Sequence, residues 1–168
     1  MTETSDTVHF FPVNEYFKEQ IKDVDGSAAF IYKITIDNNN NKRDSSVLSK
    51  QQFDEWARPF LEYDISDKSI HKYYKENIFM DETTRSYTFN YTAMDSSLPL
   101  QSIDVLLDID DQHVKRVFIN KVKSIGDSTV TEKAGWKNNN SFFINRITSH
   151  TDNSTTEQQN IIVWGNQP

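Results

Sequence analysis

The sequence predicts an α+β domain, in which two amphipathic helices near the amino terminus, with a β-hairpin between them, pack on one face of a curved antiparallel meander sheet. Up to Leu61, apolar residues recur mainly at three- and four-residue steps, whereas beyond Tyr73 they recur at two-residue steps. Helices present a face every 3.6 residues, and strands alternate faces at every residue. Short polar turns at nearly regular spacing separate the later strands, as in consecutive hairpins.

The first helix is predicted over residues 12–24. Pro12 suits the first helical position, and Gly26 ends the pattern. Its apolar face is formed by Val13, Tyr16, Phe17, Ile21 and Val24. Residues 28–36 are then rich in apolar and β-branched side chains, which favours a strand. A run of Asn at 38–41 predicts a turn into a weaker return strand over 42–48.

The second helix has the clearest start signal. Ser49 followed by Gln52 predicts a capping box, in which each side chain satisfies a backbone N–H group at the helix start. A single apolar stripe follows, formed by Phe53, Trp56, Ala57, Phe60 and Leu61. Pro59 lies inside this stripe and removes a backbone hydrogen bond, so we expect a kink or an early end near Arg58.

The meander sheet is predicted from seven segments, at 74–80, 85–93, 101–109, 114–122, 128–136, 141–149 and 157–164. The predicted inward set is Tyr87, Phe89, Tyr91, Val105, Leu107, Ile109, Val117, Ile119, Phe143, Ile147, Ile161 and Val163. Several large apolar residues have the opposite parity, namely Leu106, Phe118, Phe142, Ile144 and Trp164. Two explanations remain open: bulges or sheet curvature bury them, or the outer face carries an apolar strip that could bind a partner.

Length and composition limit the classes of function that this chain could have. The chain of 168 residues fits one domain, predicted over 11–168, after a flexible tail at 1–10 that would be the start of a mature chain. The net charge of −7 argues against a nucleic-acid partner. The absence of cysteine excludes thiol catalysis, disulfides and cysteine-ligated zinc.

The sequence contains no recognisable catalytic, phosphate-binding or metal-binding motif. The four histidines are far apart, and four glycines supply no phosphate-binding loop. Asp108 to Asp111 resembles half of a calcium loop but lacks its central Gly and closing Glu, so a hairpin tip is the preferred interpretation. We therefore predict no enzyme activity, no catalytic residues, no metal site and no cofactor.

Two binding functions remain as alternatives to a general binding or assembly domain. The first is a carrier of a hydrophobic ligand, held in a helix–sheet cavity lined by Phe53, Trp56, Tyr87 and Phe89. The second is a protein-inhibitor-like interaction module that presents hairpin tips, such as Asp110 with Asp111 or the segment 138–140, to a target. The expected partner is thus an unknown protein or a hydrophobic ligand.

Several segments carry a resemblance to a known group of proteins. They are VNEYFKEQI at 13–21, FLEYDI at 60–65, IDVLLD at 103–108, VKRVFINK at 114–121, GDSTV at 126–130, GWK at 135–137 and IVWGN at 162–166. With these packing and turn patterns, the chain resembles uncharacterised Bacteroidetes-type cell-envelope lipoproteins of unknown function. The resemblance implies a signal peptide and a lipid-modified cysteine upstream of Thr2, and thus a lipid-anchored domain on the periplasmic side of a membrane or on the cell surface. It implies no activity.

Overall fold

The computed structural model describes residues 9–165 and shows one continuous antiparallel sheet of nine strands. The strands are β1 (Ile31–Asp37), β2 (Lys42–Leu48), β3 (Tyr74–Asp81), β4 (Ser86–Ala93), β5 (Leu100–Asp108), β6 (Val114–Ile125), β7 (Ser128–Lys137), β8 (Ser141–Ser149) and β9 (Thr155–Val163). The helices are α1 (Val13–Asp25), α2 (Lys50–Ala57) and α3 (Lys68–His71), and a 3₁₀ segment (Arg58–Leu61) follows α2.

This architecture is mostly β, and the predicted α+β class is wrong. The three α-helices have 13, 8 and 4 residues, whereas each of the nine strands has 7 to 12. Pro59 is one physical reason: α2 ends at Ala57, as expected from the proline, and the chain tightens into the 3₁₀ segment. The predicted hairpin between the helices is also part of the one large sheet. The antiparallel pairing is confirmed.

The strand order is β2-β1-β9-β8-β7-β6-β5-β4-β3. From β3 to β9 each strand pairs with its neighbour in sequence, as the regular polar turns predict. The hairpin of β1 and β2 then adds to the far side of β9, where Tyr32 lies opposite Val163. The first and last strands of the chain are therefore neighbours, and β2 and β3 form the two edges of the sheet.

The hairpin turns use Asp and Asn as the sequence predicts. Six of the seven connections between consecutive paired strands contain one residue with a positive φ angle: Asn41, Arg85, Gln112, Gly126, Asn139 and Asn153. Before three of these turns, the aspartate that ends the strand, Asp37, Asp81 or Asp108, accepts hydrogen bonds from the turn itself. Asp37 Oδ1 accepts from the Asn39 amide at 3.0 Å, and Asp81 Oδ1 accepts from the Thr83 amide at 2.9 Å.

Helices α1 and α2 and the 3₁₀ segment cover the middle of one sheet face, where six rings form an aromatic cluster. Its members are Phe17, Phe53, Phe60, Trp136, Phe142 and Trp164. Trp136 on β7 stacks on Phe142 of β8 with ring centroids 4.8 Å apart. Phe17 of α1 lies 5.2 Å from Trp136. Burial of such large rings supplies much of the driving force for folding.

The orientation of the last two strands differs from the prediction. Phe142, Ile144 and Ile162 are buried on the helix-covered face. The predicted inward residues Phe143, Ile147, Ile161 and Val163 have the opposite parity and lie on the outer face. Gly135 makes this packing fit, because a Cβ atom there would lie 2.4 Å from the Phe143 ring. The Phe143 ring thus lies against the bare backbone of Gly135.

The predicted tail at 1–10 lies outside the described residues up to position 8. Within the described part, Phe10 is buried, and its ring centroid lies 4.7 Å from that of Tyr91 on β4. The amide of Phe11 donates a hydrogen bond to the Tyr91 hydroxyl at 2.8 Å. None of the helices within residues 9–165 has the length and apolar character of a membrane-spanning segment.

Candidate interaction surface

The four residues predicted to line a ligand cavity fall into two separate places. Phe53 on α2 is fully buried in the aromatic cluster, where its ring centroid lies 5.8 Å from Phe142 and 5.3 Å from Trp164. Trp56, one helical turn away, is half-buried, and the Lys33 ammonium lies 5.0 Å from its ring. Neighbouring rings thus fill the space around Phe53.

Tyr87 and Phe89 lie on β4, three strands away from β7 in the sheet. The register places Phe89 opposite Val105, which in turn is opposite Val117, so both β4 aromatics face the same side as the helices. Phe89 is half-buried, and its ring centroid lies 6.3 Å from Phe11. The structure therefore places Tyr87 and Phe89 on the same sheet face as Phe53 and Trp56 but beside different neighbours.

An open cleft of about 350 Å³ lies beside the 3₁₀ segment, and none of the four predicted residues lines it. Its lining consists of Glu55, Arg58, Pro59, Leu61 and Glu62. Three of these five side chains are charged, but most of the surface that lines the cleft is apolar. A mostly apolar lining with a few charged groups is common in small-molecule sites.

A buried ion-pair network next to this cleft was not predicted. Lys121 on β6 is only 2% exposed, and its Nζ donates to the Pro59 carbonyl at 2.6 Å and to Glu62 Oε2 at 2.9 Å. Glu132 Oε1 lies 3.5 Å away on the neighbouring strand. The parity of β6 is the missed signal, because Val117, Ile119 and Lys121 share one face. Two hydrogen bonds and an ion pair with Glu132 thus hold the ammonium, so the network attaches the 3₁₀ segment to the sheet.

Electrostatics at this network favour the charged forms. Burial raises the pKa of Glu62, but hydrogen bonds and charge from Lys123 and Lys121 together lower it by more, so the net shift is downward. Lys123 also contacts Glu62, which raises the Lys123 pKa. These shifts are those expected of groups held in ion pairs.

The hairpin tip at 138–140 is attached to α1 by side-chain hydrogen bonds. Gln20, which is buried, accepts from the Trp136 Nε1 at 3.2 Å and from the Asn139 amide at 2.8 Å. The Tyr16 hydroxyl donates to Asn138 Oδ1 at 2.8 Å, and burial raises the pKa of that tyrosine. Polar groups of this tip are therefore used within the domain. Gln20 follows Phe17 by three residues, and this spacing was the signal for its burial.

The tip between β5 and β6 brings three potential metal ligands together. Ligand atoms of Asp108, Asp111 and His113 lie within 4.8 Å of one another. Asp108 Oδ1 accepts from the Asp110 amide at 2.8 Å, and Asp111 accepts from the amide and ring of His113. Such hydrogen bonds are typical of an Asx-turn. Beside this turn, an Arg85 guanidinium nitrogen lies 2.7 Å from Asp110 Oδ1.

The most distinctive surface is the outer edge of β3. We define the β3 edge as the side of Tyr74–Asp81 that faces away from β4, together with the side chains of Ile78, Phe79 and Met80. These three side chains are 55%, 53% and 51% exposed. Ile78 and Met80 lie on the helix side of the sheet, opposite Phe89 and Tyr87, and Phe79 lies on the outer face. Three consecutive exposed apolar residues on an edge strand form an unusual surface for a soluble monomer.

Within residues 9–165, no strand pairs with the side of β3 that faces away from β4. The Met94 amide donates to the Tyr73 carbonyl at 2.9 Å, which marks this pair as hydrogen-bonded in the β3–β4 ladder. Because such pairs alternate in antiparallel sheets, the N–H and C=O groups of Glu76, Ile78 and Met80 point away from β4. The β3 edge therefore offers both hydrogen-bonding groups and apolar side chains to an added strand.

Tyr74 fixes the start of this strand. Its side chain is buried, and its hydroxyl donates to the Leu100 carbonyl at 2.7 Å. Burial, with a smaller contribution from Tyr63, raises the pKa of Tyr74 to about 12, so the hydroxyl remains a donor at neutral pH. At the other end, Asp81 and the turn hydrogen bonds described above fix the hairpin. The edge is thus held at both ends as a regular strand.

Comparison of the chain with models of protein families, with curated proteins and with solved structures found no match. The candidate surface therefore stands on the geometry of the described residues.

Proposed function

We propose that this chain is a non-enzymatic protein-binding or assembly domain, and that it binds an extended segment of its partner by strand addition to the β3 edge. The single observation that carries the proposal is made on one edge strand, β3, where backbone groups that have no partner strand within residues 9–165 coincide with three exposed apolar side chains. In strand addition, main-chain hydrogen bonds supply affinity, and alternate side chains supply specificity.

The other side-chain clusters support a binding function without catalysis. Two hydrogen bonds and an ion pair hold Lys121 within the domain, and the carboxylates at the β5–β6 tip accept hydrogen bonds from the turn. Rings of the aromatic cluster surround Phe53, which favours a packed core over a ligand carrier at that position.

A photo-crosslinking experiment in the producing cells tests this function. A crosslinking amino acid placed at Phe79 should give a discrete adduct with a binding partner, because this side chain is exposed beside the β3 edge. The matched control places the same amino acid at Val47, which is 62% exposed on the other edge strand. The Phe79 adduct should exceed the Val47 adduct severalfold.

A second variant connects the adduct to strand addition. Ile78→Pro removes an N–H group that points away from β4, so the β3–β4 ladder keeps its hydrogen bonds while an added strand loses one. The Phe79 adduct should then fall to the level of the Val47 control. Adducts of equal yield from both positions, or an adduct that Ile78→Pro leaves unchanged, would refute binding at the β3 edge.

For the cellular location, we propose a lipid-anchored domain of the cell envelope, on the periplasmic or cell-surface side. The resemblance to envelope lipoproteins supports this proposal. Fractionation of the producing cells should recover the protein with membranes, and mass spectrometry of its amino-terminal peptide should find an acylated cysteine. Recovery in the cytoplasmic fraction, with an unmodified amino-terminal peptide, would contradict it.

A further inference from the structure

We propose that the strand added to the β3 edge is β3 of a second copy of this chain, antiparallel, with the two-fold axis passing through Ile78. This inference rests on the proposed function, since it names the partner of the same surface. A dimer of this kind would join two nine-stranded sheets into one continuous sheet across the axis.

The backbone supports a register centred on Ile78. Its N–H and C=O groups point away from β4, so Ile78 can form a hydrogen-bonded pair with the partner's Ile78. The same register pairs Glu76 with the partner's Met80, and both of these residues also have backbone groups that point outward. Each hydrogen-bonded pair carries two bonds, so the three pairs would supply about six.

The side chains are self-complementary in this register. On the outer face, Lys75 lies opposite the partner's Asp81, and the symmetry repeats this ion pair. The turn hydrogen bonds of Asp81 use Oδ1, so that Oδ2 remains for the ammonium. On the helix side, the exposed Ile78 packs against its own copy, and Met80 covers the aliphatic part of the partner's Glu76.

Neighbouring registers are worse. An axis through Phe79 places Glu76 opposite the partner's Glu82, which sets like charges against each other. An axis through Asn77 places Ile78 opposite the partner's Glu76 and leaves Lys75 opposite an aromatic ring. Charge complementarity therefore selects the axis at Ile78.

The other edge lacks these properties. Its strand β2 contains Lys42, Arg43 and Asp44 in succession, and then two serines. Charged side chains on an edge strand discourage pairing with another sheet. Val47 is the exposed large apolar residue of β2, and no apolar neighbour in sequence adjoins it except Leu48, which is buried. A dimer through β3 is thus favoured over a chain of sheets joined at both edges.

Disulfide trapping tests the register directly, because the chain has no cysteine of its own. Across a hydrogen-bonded antiparallel pair the Cα atoms are about 5.5 Å apart, which is within the span of a disulfide. Ile78→Cys should therefore form a covalent dimer rapidly under mild oxidation, at least about tenfold faster than the exposed control Val47→Cys. Equal rates for the two variants would overturn the proposal.

A charge-pairing experiment tests the same axis without oxidation. Ile78→Lys and Ile78→Glu should each be monomeric, because residue 78 lies on the axis and each variant would place two like charges opposite each other. An equimolar mixture should restore a heterodimer, whose mass in analytical ultracentrifugation would be twice the 19.6 kDa of one chain. The unsubstituted chain should dimerise at micromolar to millimolar concentration, since edge pairing alone gives a small interface. A mixture that remains monomeric, like its components, would overturn the register.

Failure of this inference is distinguishable from failure of the proposed function. If the unsubstituted chain remains at 19.6 kDa throughout but the Phe79 photoadduct contains a different protein and depends on Ile78, strand addition holds and the second copy is the wrong partner. If the chain is monomeric and the photoadduct is also absent, both proposals fail. If the photoadduct contains two copies of this chain, both are supported.

Discussion

Two regions on the same face of the sheet differ sharply in how their apolar side chains are covered. At β7 and β8, Trp136 and Phe142 are each 1% exposed beneath the helical segments. At β3, Ile78 and Met80 are 55% and 51% exposed on that same face. The helices are short, and they cover the middle of a sheet that is nine strands wide. Apolar content alone therefore does not identify the core of this domain; position in the strand order decides it.

The largest expected effect tests the covered region. Trp136→Ala should lower the free energy of unfolding by about 3–5 kcal/mol, because it leaves a cavity among the rings of the aromatic cluster. Urea denaturation measures this change. The matched variant Met80→Ala removes an apolar side chain from the uncovered region and should change stability by less than about 0.5 kcal/mol. Similar losses for the two variants would mean that the two regions do not differ.

The second prediction concerns Lys121, which lies on β6 and joins the sheet to the 3₁₀ segment through the ion-pair network. Lys121→Met should lower the free energy of unfolding by about 2–3 kcal/mol. This loss is smaller than for a buried ion pair with no other partners, because Glu62 remains paired with Lys123 and Glu132 with Arg146. Lys123→Met, at a more exposed site, should lose under about 1 kcal/mol. Equal losses would show that burial of Lys121 contributes nothing.

Acid should reveal the same network. The folded-state pKa of Glu62 lies below its ordinary value, so its contribution to stability is present above the unfolded pKa and is lost as the pH falls through the folded pKa. The cost of Lys121→Met should therefore shrink on acidification. Urea unfolding of both proteins at neutral and acidic pH measures this, and a pH-independent difference would exclude Glu62 as the cause.

The third prediction tests the uncovered edge. Ile78→Lys should leave the unfolding free energy of the monomer within about 0.5 kcal/mol of the original, because the side chain is already mostly in water. Thermal unfolding at low protein concentration measures the monomer. A loss of several kcal/mol would mean that Ile78 belongs to the folded core of one chain, and the β3 edge would then be no binding surface.

The smallest effect concerns the turn that ends β3. Hydrogen bonds from Thr83 and Thr84 hold the pKa of Asp81 below its ordinary value. Their contribution is present above the unfolded pKa of aspartate and is lost as the pH falls through the folded pKa. Hydrogen exchange of the Thr83 amide should therefore accelerate, beyond the intrinsic pH effect, on acidification. Asp81→Asn keeps an acceptor that cannot titrate, and it should remove this acid sensitivity; its persistence would assign the effect to another group.

Local signals in the sequence were sufficient for the strands and turns. The two-residue alternation predicted every strand of the meander, and Ser49 with Gln52 forms the expected capping box. The orientation of β8 and β9 was wrong because both parities are apolar there: Phe142 alternates with Phe143, and Ile161 with Ile162. The deciding signal was Gly135 on the neighbouring strand, whose bare backbone accepts the Phe143 ring.

The candidate surface depended on information that no local pattern contains. The triplet at 78–80 belongs to a predicted strand, but its exposure follows from the strand order, which makes β3 an edge. The cavity residues show the same limit: Phe53 and Phe89 share a face, yet β5 and β6 lie between the strand of Phe89, which is β4, and β7, where Phe53 packs near Trp136. The parity of Lys121 matches that of Val117 and Ile119, but its acceptors at Pro59 and Glu62 are about 60 residues away in the sequence, so no local pattern reveals the network.

The pairing of β1 with β9 has a consequence for synthesis on the ribosome. Tyr32 meets Val163, so the amino-terminal hairpin emerges long before the strand that it needs. Phe17 and Phe53 likewise await Trp136 and Phe142 from the second half of the polypeptide. Such distant pairings slow folding, because a long loop must close before its contacts form. During translation the apolar faces of the two helices therefore remain uncovered for most of the elongation. Chaperones that recognise exposed apolar segments can bind the nascent chain in this period.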